Sequence, residues 1–529
     1  MSNLQKLVWL LPFYVFGICL PKAVQGADVT PQPRPALGMN LAGPADWSTE
    51  LPFVDVFRLS REWISQRKGA EWGKGPALAL DEQGWVKQLE PDCFAETALC
   101  TIDGGHYPSG PWTVLWEGEG KLELSKGKVT VTERNRLVVN IDAAGGGFFL
   151  RLLATNPAKP VRNIQVLMPS VTAAQAAKNP WNPKFLNLWR GMACLRFMDL
   201  QLTNNSPQKH WADRPRVSDA TFTRRGVPVE LLCDLANRQQ ADAWFCLPHQ
   251  ADDEYVREFA KVVRERLDPQ LRAYIEYSNE VWNGQFEQHR YAGEQGQRLK
   301  LAEKPWEAAW YFTAYRSGQI FDIWEEVFGG RTRLVRVLAS QAGNSYVAEQ
   351  IVNWRDANRQ VVEADVLAIA PYISLNLPNE GENLTAAEVA QWSVEQLLDH
   401  VEQQALPECI DWMRQHQKIA TERGLKLVAY EAGQHFVGVA GGENNEALTK
   451  LLLAANRHPH LERIYTAYFA GWEANGGDLL CYFSSVGQWS KWGSWGVVEH
   501  LDEDVNKSPK LRGVLRWGTR VNEQLKVKK

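Results

Sequence analysis

Along most of the chain after Ala174 one unit returns: an apolar run of strand length, a polar loop, then a stretch with apolar residues at i, i+3, i+4 and i+7. A parallel strand covered on both faces reads as a continuous apolar run and its crossover helix as an amphipathic one, so the repeat predicts a parallel sheet wrapped by helices. Strands are expected at Met192–Phe197, Ala243–Leu247, Ala273–Tyr277, Leu334–Ala339, Val366–Ala370, Leu425–Tyr430 and Leu479–Phe483, with helices at Asp253–Leu267 and Pro305–Phe328. Those seven strands leave a barrel of eight open by one. Its first strand is expected far upstream, at Ala36–Leu41, with a helix following in FVDVFRLSREW, Phe53 to Trp63.

From about Gln66 to Pro169 the pattern changes to short alternating runs broken by Gly and Asp, as in WTVLWEGEGKLELSKGKVTVTERNRLVVNI. Such spacing predicts antiparallel strands in a sandwich. The expected fold is therefore α/β, a (β/α)₈ TIM barrel with an inserted antiparallel β-sandwich domain. Residues 27–65 form its first β/α unit, 66–169 the inserted sandwich and 170–529 the remainder of the catalytic barrel. No Pro/Ser-rich linker separates the parts, so they are expected to pack rigidly. Residues 1–26, with Lys6 ahead of the apolar run Leu7–Leu20 and small residues near Gly26, read as a signal peptide, with an uncleaved anchor as the alternative. A secreted or periplasmic location follows, with no membrane association beyond the signal peptide. Ile18 ahead of Cys19 does not suit a lipidated cysteine.

Composition narrows the partners. The 58 basic and 62 acidic residues give a formal net charge of −4, without the basic footprint of a nucleic-acid or anionic-membrane protein. The 23 Trp suit either a large buried core or the flat apolar platforms on which sugar rings stack. Of the eight cysteines, Cys93 and Cys100 are close enough in sequence to bridge in an oxidising compartment, while Cys194, Cys246 and Cys481 sit in apolar runs as small buried hydrophobes. No Cys/His spacing matches a metal site, and the Gly145–Gly147 run lacks the helix motif and Lys of a phosphate loop, so neither metal nor cofactor is expected.

Two segments carry chemistry. In RAYIEYSNEVWNG, Arg272 to Gly284, polar residues gather where the strand ends, at Asn279 and Glu280. That end of a barrel strand is where reacting groups are mounted. In LKLVAYEAGQHF, Leu425 to Phe436, an apolar strand runs into Glu431, and a carboxylate there carries a desolvation penalty that a structural role does not explain. Ala432 and Gly433 beside it are small enough to admit a substrate. HYPSGPW, His106 to Trp112, fits either a sugar contact or a turn packed on the barrel.

These residues resemble those of the clan A glycoside hydrolases, (β/α)₈ barrels with an Asn-Glu acid/base after strand four and a nucleophilic Glu after strand seven. Asn279-Glu280 and Glu431 match that pattern, and IEYSNEVWN is similar to the fourth-strand signature, whereas Val281 departs from the Pro that often follows the catalytic Glu. The resemblance covers the barrel and not the sandwich. It implies a retaining hydrolase of β-linked oligosaccharides or polysaccharides, with Glu280 as acid/base and Glu431 as nucleophile. It also implies that Arg196, His249 and Tyr372 orient the nucleophile and that Trp489, after strand eight, is a sugar platform. Each of these four has a structural alternative, such as a core ion pair for Arg196. A transglycosidase, or a non-catalytic carbohydrate-binding protein on the same barrel, would carry a similar sequence.

Overall fold

The computed structural model describes residues 35–379 and 381–527, and the side chains of residues up to 523. The signal-peptide segment and Cys19 lie outside the described residues. Eight parallel strands close a barrel: β1 (Ala36–Asn40), β2 (Cys194–Arg196), β3 (Asp242–Leu247), β4 (Ala273–Tyr277), β5 (Leu334–Ala339), β6 (Val366–Ile369), β7 (Lys426–Ala429) and β8 (Gly477–Tyr482). The seam joins β1 to β8 through Ala36–Leu479 and to β2 through Asn40–Arg196. Every strand stands where its apolar run predicts it. Both expected long helices form, over Asp253–Arg266 and Pro305–Phe328. Asp252 caps the first by accepting from the Tyr255 N–H (2.8 Å), and Gly329 ends the second in the left-handed region (φ 71°).

The helix expected at Phe53–Trp63 does not form; only a single 3₁₀ turn, Val56–Leu59, is present. Its backbone is spent elsewhere. The Asp55 carboxylate accepts from the N–H groups of Phe57 (3.2 Å) and Val166 (2.8 Å), and Phe53 and Asp55 bridge to Trp181 and Leu167. These partners replace the i→i−4 bonds that a helix would need.

Between β1 and β2 lie two four-stranded antiparallel sheets, with strands running from Ile64 to Leu167. In Gly110–Glu117, Trp112, Val114 and Trp116 alternate inward; in Phe148–Thr155, Phe148, Leu150 and Leu152 do. The two inner faces meet at Trp112 and Phe148, with ring centroids 5.8 Å apart, which makes the insertion a sandwich. One hydrophobic core runs unbroken from these rings into the layer between barrel and helices, and a second fills the barrel interior around Trp244, Cys246, Tyr274 and Val428. Cys93 and Cys100 are both free. They stand at opposite ends of the extended strand Cys93–Leu99, roughly 20 Å apart, too far to bridge. No described helix is long and apolar enough to cross a membrane.

Candidate active site

The barrel's strand register brings one guanidinium to the middle of a carboxylate cluster. Arg196, the last residue of β2, is fully buried. Its Nη1 donates to Asn40 Oδ1 (3.0 Å) and Glu431 Oε1 (3.0 Å), and its Nη2 to Glu276 Oε2 (2.9 Å) and Asn279 Oδ1 (2.7 Å). Residues from β1, β2, β4 and β7 thus share a single cation. Asn40 continues the web by donating to the carbonyl of Tyr430 (2.8 Å). Glu276, 1% exposed, also accepts from the Trp244 indole (2.8 Å), so it is held inside the barrel beneath the other carboxyls.

Backbone geometry displays the two outer glutamates. Past β4, Ser278 (φ 57°) and Glu280 (φ 43°) both take the left-handed region, unusual for residues with a Cβ. That double turn swings Asn279 toward Arg196 and Glu280, a partly exposed residue, toward the mouth. Gln288 secures the turn by donating to the Asn279 carbonyl (2.8 Å). Strands β6 and β7 each break and resume as a parallel pair, Tyr372–Leu377 with Gly433–Gly438. Glu431 lies in the break of β7, and Tyr372 opens the new strand beside it. Gly433 is not an opening for substrate: at φ 133° a Cβ there would stand 3.0 Å from the Tyr482 ring.

The settings of the two carboxyls differ. Glu431, 5% exposed, accepts from Arg196 and from the Tyr372 hydroxyl (2.9 Å at Oε2). Burial pushes its pKa up, while Arg196 and Tyr372 oppose that rise. Glu280 has only neutral donors: the Tyr430 hydroxyl at Oε1 (3.0 Å) and the Asn283 amide at Oε2 (2.9 Å). Burial first, and then the charge of Glu431, raise it to about 7. With the cation bonded to Glu431 alone of the pair, a proton shared between them resides on Glu280. Two further carboxyls adjoin the cluster. Asp199, three residues past Arg196, is raised to about 7 by burial and the Glu431 charge. Glu50 is fully buried and raised to about 8, although Ser485, Trp189 and the Ala42 N–H bond to it.

Of the residues expected here, Arg196, Asn279, Glu280, Tyr372 and Glu431 are brought together; His249 and Trp489 are not. The His249 ring packs edge-on against Tyr291 (5.3 Å), burial holds its pKa down to about 4, and among the described residues no hydrogen bond joins it to either outer glutamate. Trp489 is no platform. It is 7% exposed, gripped between Arg457 (4.7 Å) and Lys510 (4.8 Å), and its indole donates to the Gly496 carbonyl (2.8 Å). From the same loop Trp495 stacks on His435 (5.7 Å), which adjoins Tyr372 (6.0 Å). Sequence reasoning did not single out Asn40, Asn283 or Tyr430. The cue for Asn283 was its place three residues beyond Glu280; a tyrosine in a core strand gave none. His106 stacks on His500 (3.6 Å) and contacts Asp502 (3.0 Å), so HYPSGPW is packed on the barrel's last loop. Elsewhere, Asp399, Glu402 and His460 group their ligand atoms within 4.8 Å, but Arg463 already donates to Glu402 (2.6 Å).

No family model matches the chain, and no curated protein matches it. Among solved structures it is similar to the GH51 arabinofuranosidase from Xanthomonas axonopodis pv. citri, at 11% identity over 58% of this chain and 61% of that one, with a TM-score of 0.32. It is similar to a 4-O-alpha-L-rhamnosyl-beta-D-glucuronidase from Fusarium oxysporum 12S, at 11% identity over 61% and 60%, TM-score 0.36. A GH5 family lichenase from Caldicellulosiruptor sp. F32 matches at 11% identity over 66% and 88%, TM-score 0.36. The chain spans about three fifths of the first two of these structures.

Proposed function

We propose that the protein is a retaining glycoside hydrolase that cleaves β-linked glycans by double displacement, with Glu431 as nucleophile and Glu280 as acid/base. The observation that carries this reading is the unequal setting of two carboxyls at the ends of β4 and β7. One is bonded to a buried guanidinium and a tyrosine; the other has neutral partners only and is raised to about 7. Such a pair supplies an anion and an acid at the same pH, which is what the two steps require. In the first step Glu431 attacks the anomeric carbon while Glu280 protonates the departing oxygen. Once Glu431 is esterified its charge is gone, so the field that kept the proton on Glu280 weakens. Glu280 then accepts a proton from the water that hydrolyses the glycosyl enzyme.

The test is a panel of 4-nitrophenyl β-glucoside, β-mannoside, β-xyloside and β-galactoside with soluble β-glucan, mannan and xylan, assayed with wild type, Glu280→Ala and Glu431→Ala. Loss of about 10²–10⁴-fold is expected in Glu280→Ala, and a larger loss, on the order of 10⁶-fold, in Glu431→Ala. Azide should rescue Glu431→Ala with an α-glycosyl azide product and Glu280→Ala with a β-glycosyl azide. A wild type that binds glycan but turns over no member of the panel overturns the reading. The same proposal includes export directed by residues 1–26, supported by the apolar run Leu7–Leu20. It is tested by N-terminal sequencing of the exported protein, where a start at Ala27 is expected and an intact Met1 refutes it.

A further inference from the structure

The two oxygens of Glu280 face different worlds. Oε1 accepts from the hydroxyl of Tyr430 (3.0 Å), a side chain with no exposed surface that forms the top of the barrel's inner packing. Oε2 accepts from Asn283 (2.9 Å), on the partly accessible turn after β4. Tyr430 is itself anchored through its backbone and its ring. Its N–H donates to the Ile369 carbonyl (2.9 Å), its carbonyl accepts from Asn40 (2.8 Å), and Arg196 lies 5.0 Å over its ring. It is also the residue directly before Glu431, so one strand end fixes both outer glutamates.

We propose that Tyr430 is a positioning residue that assigns the working oxygen of Glu280: by donating to Oε1 from the closed inner packing it holds the carboxyl with Oε2 turned toward the partly accessible turn after β4, so that the proton exchanged with substrate is the one on Oε2. In the acid form Oε1 is the carbonyl oxygen and Oε2 carries the hydrogen that goes to the departing glycosidic oxygen. In the carboxylate form Oε2 takes the proton from water. Tyr430 loses no proton in either step, because burial and the neighbouring carboxylates hold its own hydroxyl far above neutrality. Asn283 remains compatible with both states, since a protonated Oε2 keeps lone pairs that accept from the amide. The charged and titratable groups facing this pair are Glu431, Glu276 and Arg196, with Tyr372 beyond Glu431.

This inference rests on the hydrolase reading, and its test separates the two. Tyr430→Phe keeps the ring beneath Arg196 and removes only the hydroxyl, which faces Trp282 as well as Glu280. A hydrogen bond to a carboxylate favours the charged form, so its loss raises the pKa of Glu280. The alkaline limb of the kcat/KM profile, set by loss of the Glu280 proton, should move up by about half to one pH unit. The kcat should fall about tenfold with KM unchanged, because Tyr430 does not reach substrate. Replacing Tyr430 with 3,5-difluorotyrosine, a stronger donor of the same shape, should move the limb the other way and covers the case in which the Phe protein does not fold. Wild-type inactivity on the whole panel would remove the hydrolase reading. An active wild type whose alkaline limb is unmoved by either replacement, or a Phe variant with raised KM and unchanged kcat, would overturn the role of Tyr430 alone.

Discussion

Glu280→Gln is expected to make the protein more stable at pH 8 and no more stable at pH 4. In the folded chain the Glu280 carboxyl is raised from 4.5 to about 7 by burial and by Glu431. The folded state therefore holds a proton that the unfolded chain releases above about 4.5. A raised carboxyl contributes its stability in full below the unfolded value, and that contribution is lost as pH climbs through the window from about 4.5 to 7. Integrated across the window, the ceiling is about 3 kcal/mol; because Glu280 is partly accessible and shares its titration with Glu431, about 1–3 kcal/mol is expected. Glutamine carries no charge at any pH. Its carbonyl can accept from Asn283 as Glu280 Oε2 does and its amide can donate to the Tyr430 hydroxyl, whose own hydrogen then loses its acceptor; that cost, about 1 kcal/mol, is the same at every pH and leaves the shape of the pH dependence intact. The assay is urea unfolding followed by tryptophan fluorescence at pH 4, 5, 6, 7 and 8 for both proteins. The stability difference should favour Glu280 slightly at pH 4 and shift toward the Gln protein through pH 7. A difference that is flat across pH, or a Gln protein that is the weaker one at pH 8, refutes the reasoning.

Arg196→Met should cost about 3–5 kcal/mol at pH 7 in the same unfolding assay, because it strands the buried carboxylates Glu276 and Glu431 without their cation. The loss should shrink at pH 4, where the Glu431 carboxylate, already raised by burial, takes up a proton; a cost below about 1 kcal/mol at neutral pH would show that the web does not depend on this residue. Trp489→Ala should destabilise by about 3–5 kcal/mol, as expected for a large buried ring, whereas Trp492→Ala, at a side chain 62% exposed, should change stability by less than about 0.5 kcal/mol. Equal effects in the two melts would contradict the placement of Trp489 between Arg457 and Lys510.

The parts of this molecule that could be read from sequence are those decided by local burial. Strands β4 and β5 coincide with their apolar runs because a parallel strand covered on both faces is buried almost from end to end, and their charged residues, Glu276 and Arg336, are each paired inside the fold. Glu280 and Glu431 stood out for the complementary reason, as carboxylates where such runs end. Two of the failures have one cause in common, that the deciding partner is remote in sequence. The Phe53–Trp63 segment has helical spacing, yet Asp55 is claimed by Val166, more than a hundred residues on. Trp489 and Trp495 share a loop and a composition, and only Arg457 and Lys510, brought in by other segments, make the first a buried ring while the second meets His435.

Tyr430 carries that argument furthest. As a sequence position it is one more large apolar residue in a core strand, and its ring indeed fills the barrel. Its hydroxyl has a use only because β4 and β7 deliver Glu280 within 3.0 Å across a separation of 150 residues. Buried polar atoms require partners, so a tyrosine in a dry interior implies an acceptor somewhere; the sequence poses that requirement without saying where it is met. In this barrel it is met at the oxygen of the one outer glutamate that has no cation. The closed packing of the strands and the candidate chemistry at their ends therefore meet in one side chain. Substitutions in the inner layer beneath Tyr430, such as at Val428, should then act on the titration of Glu280 as well as on stability, by tilting the ring that aims its hydroxyl.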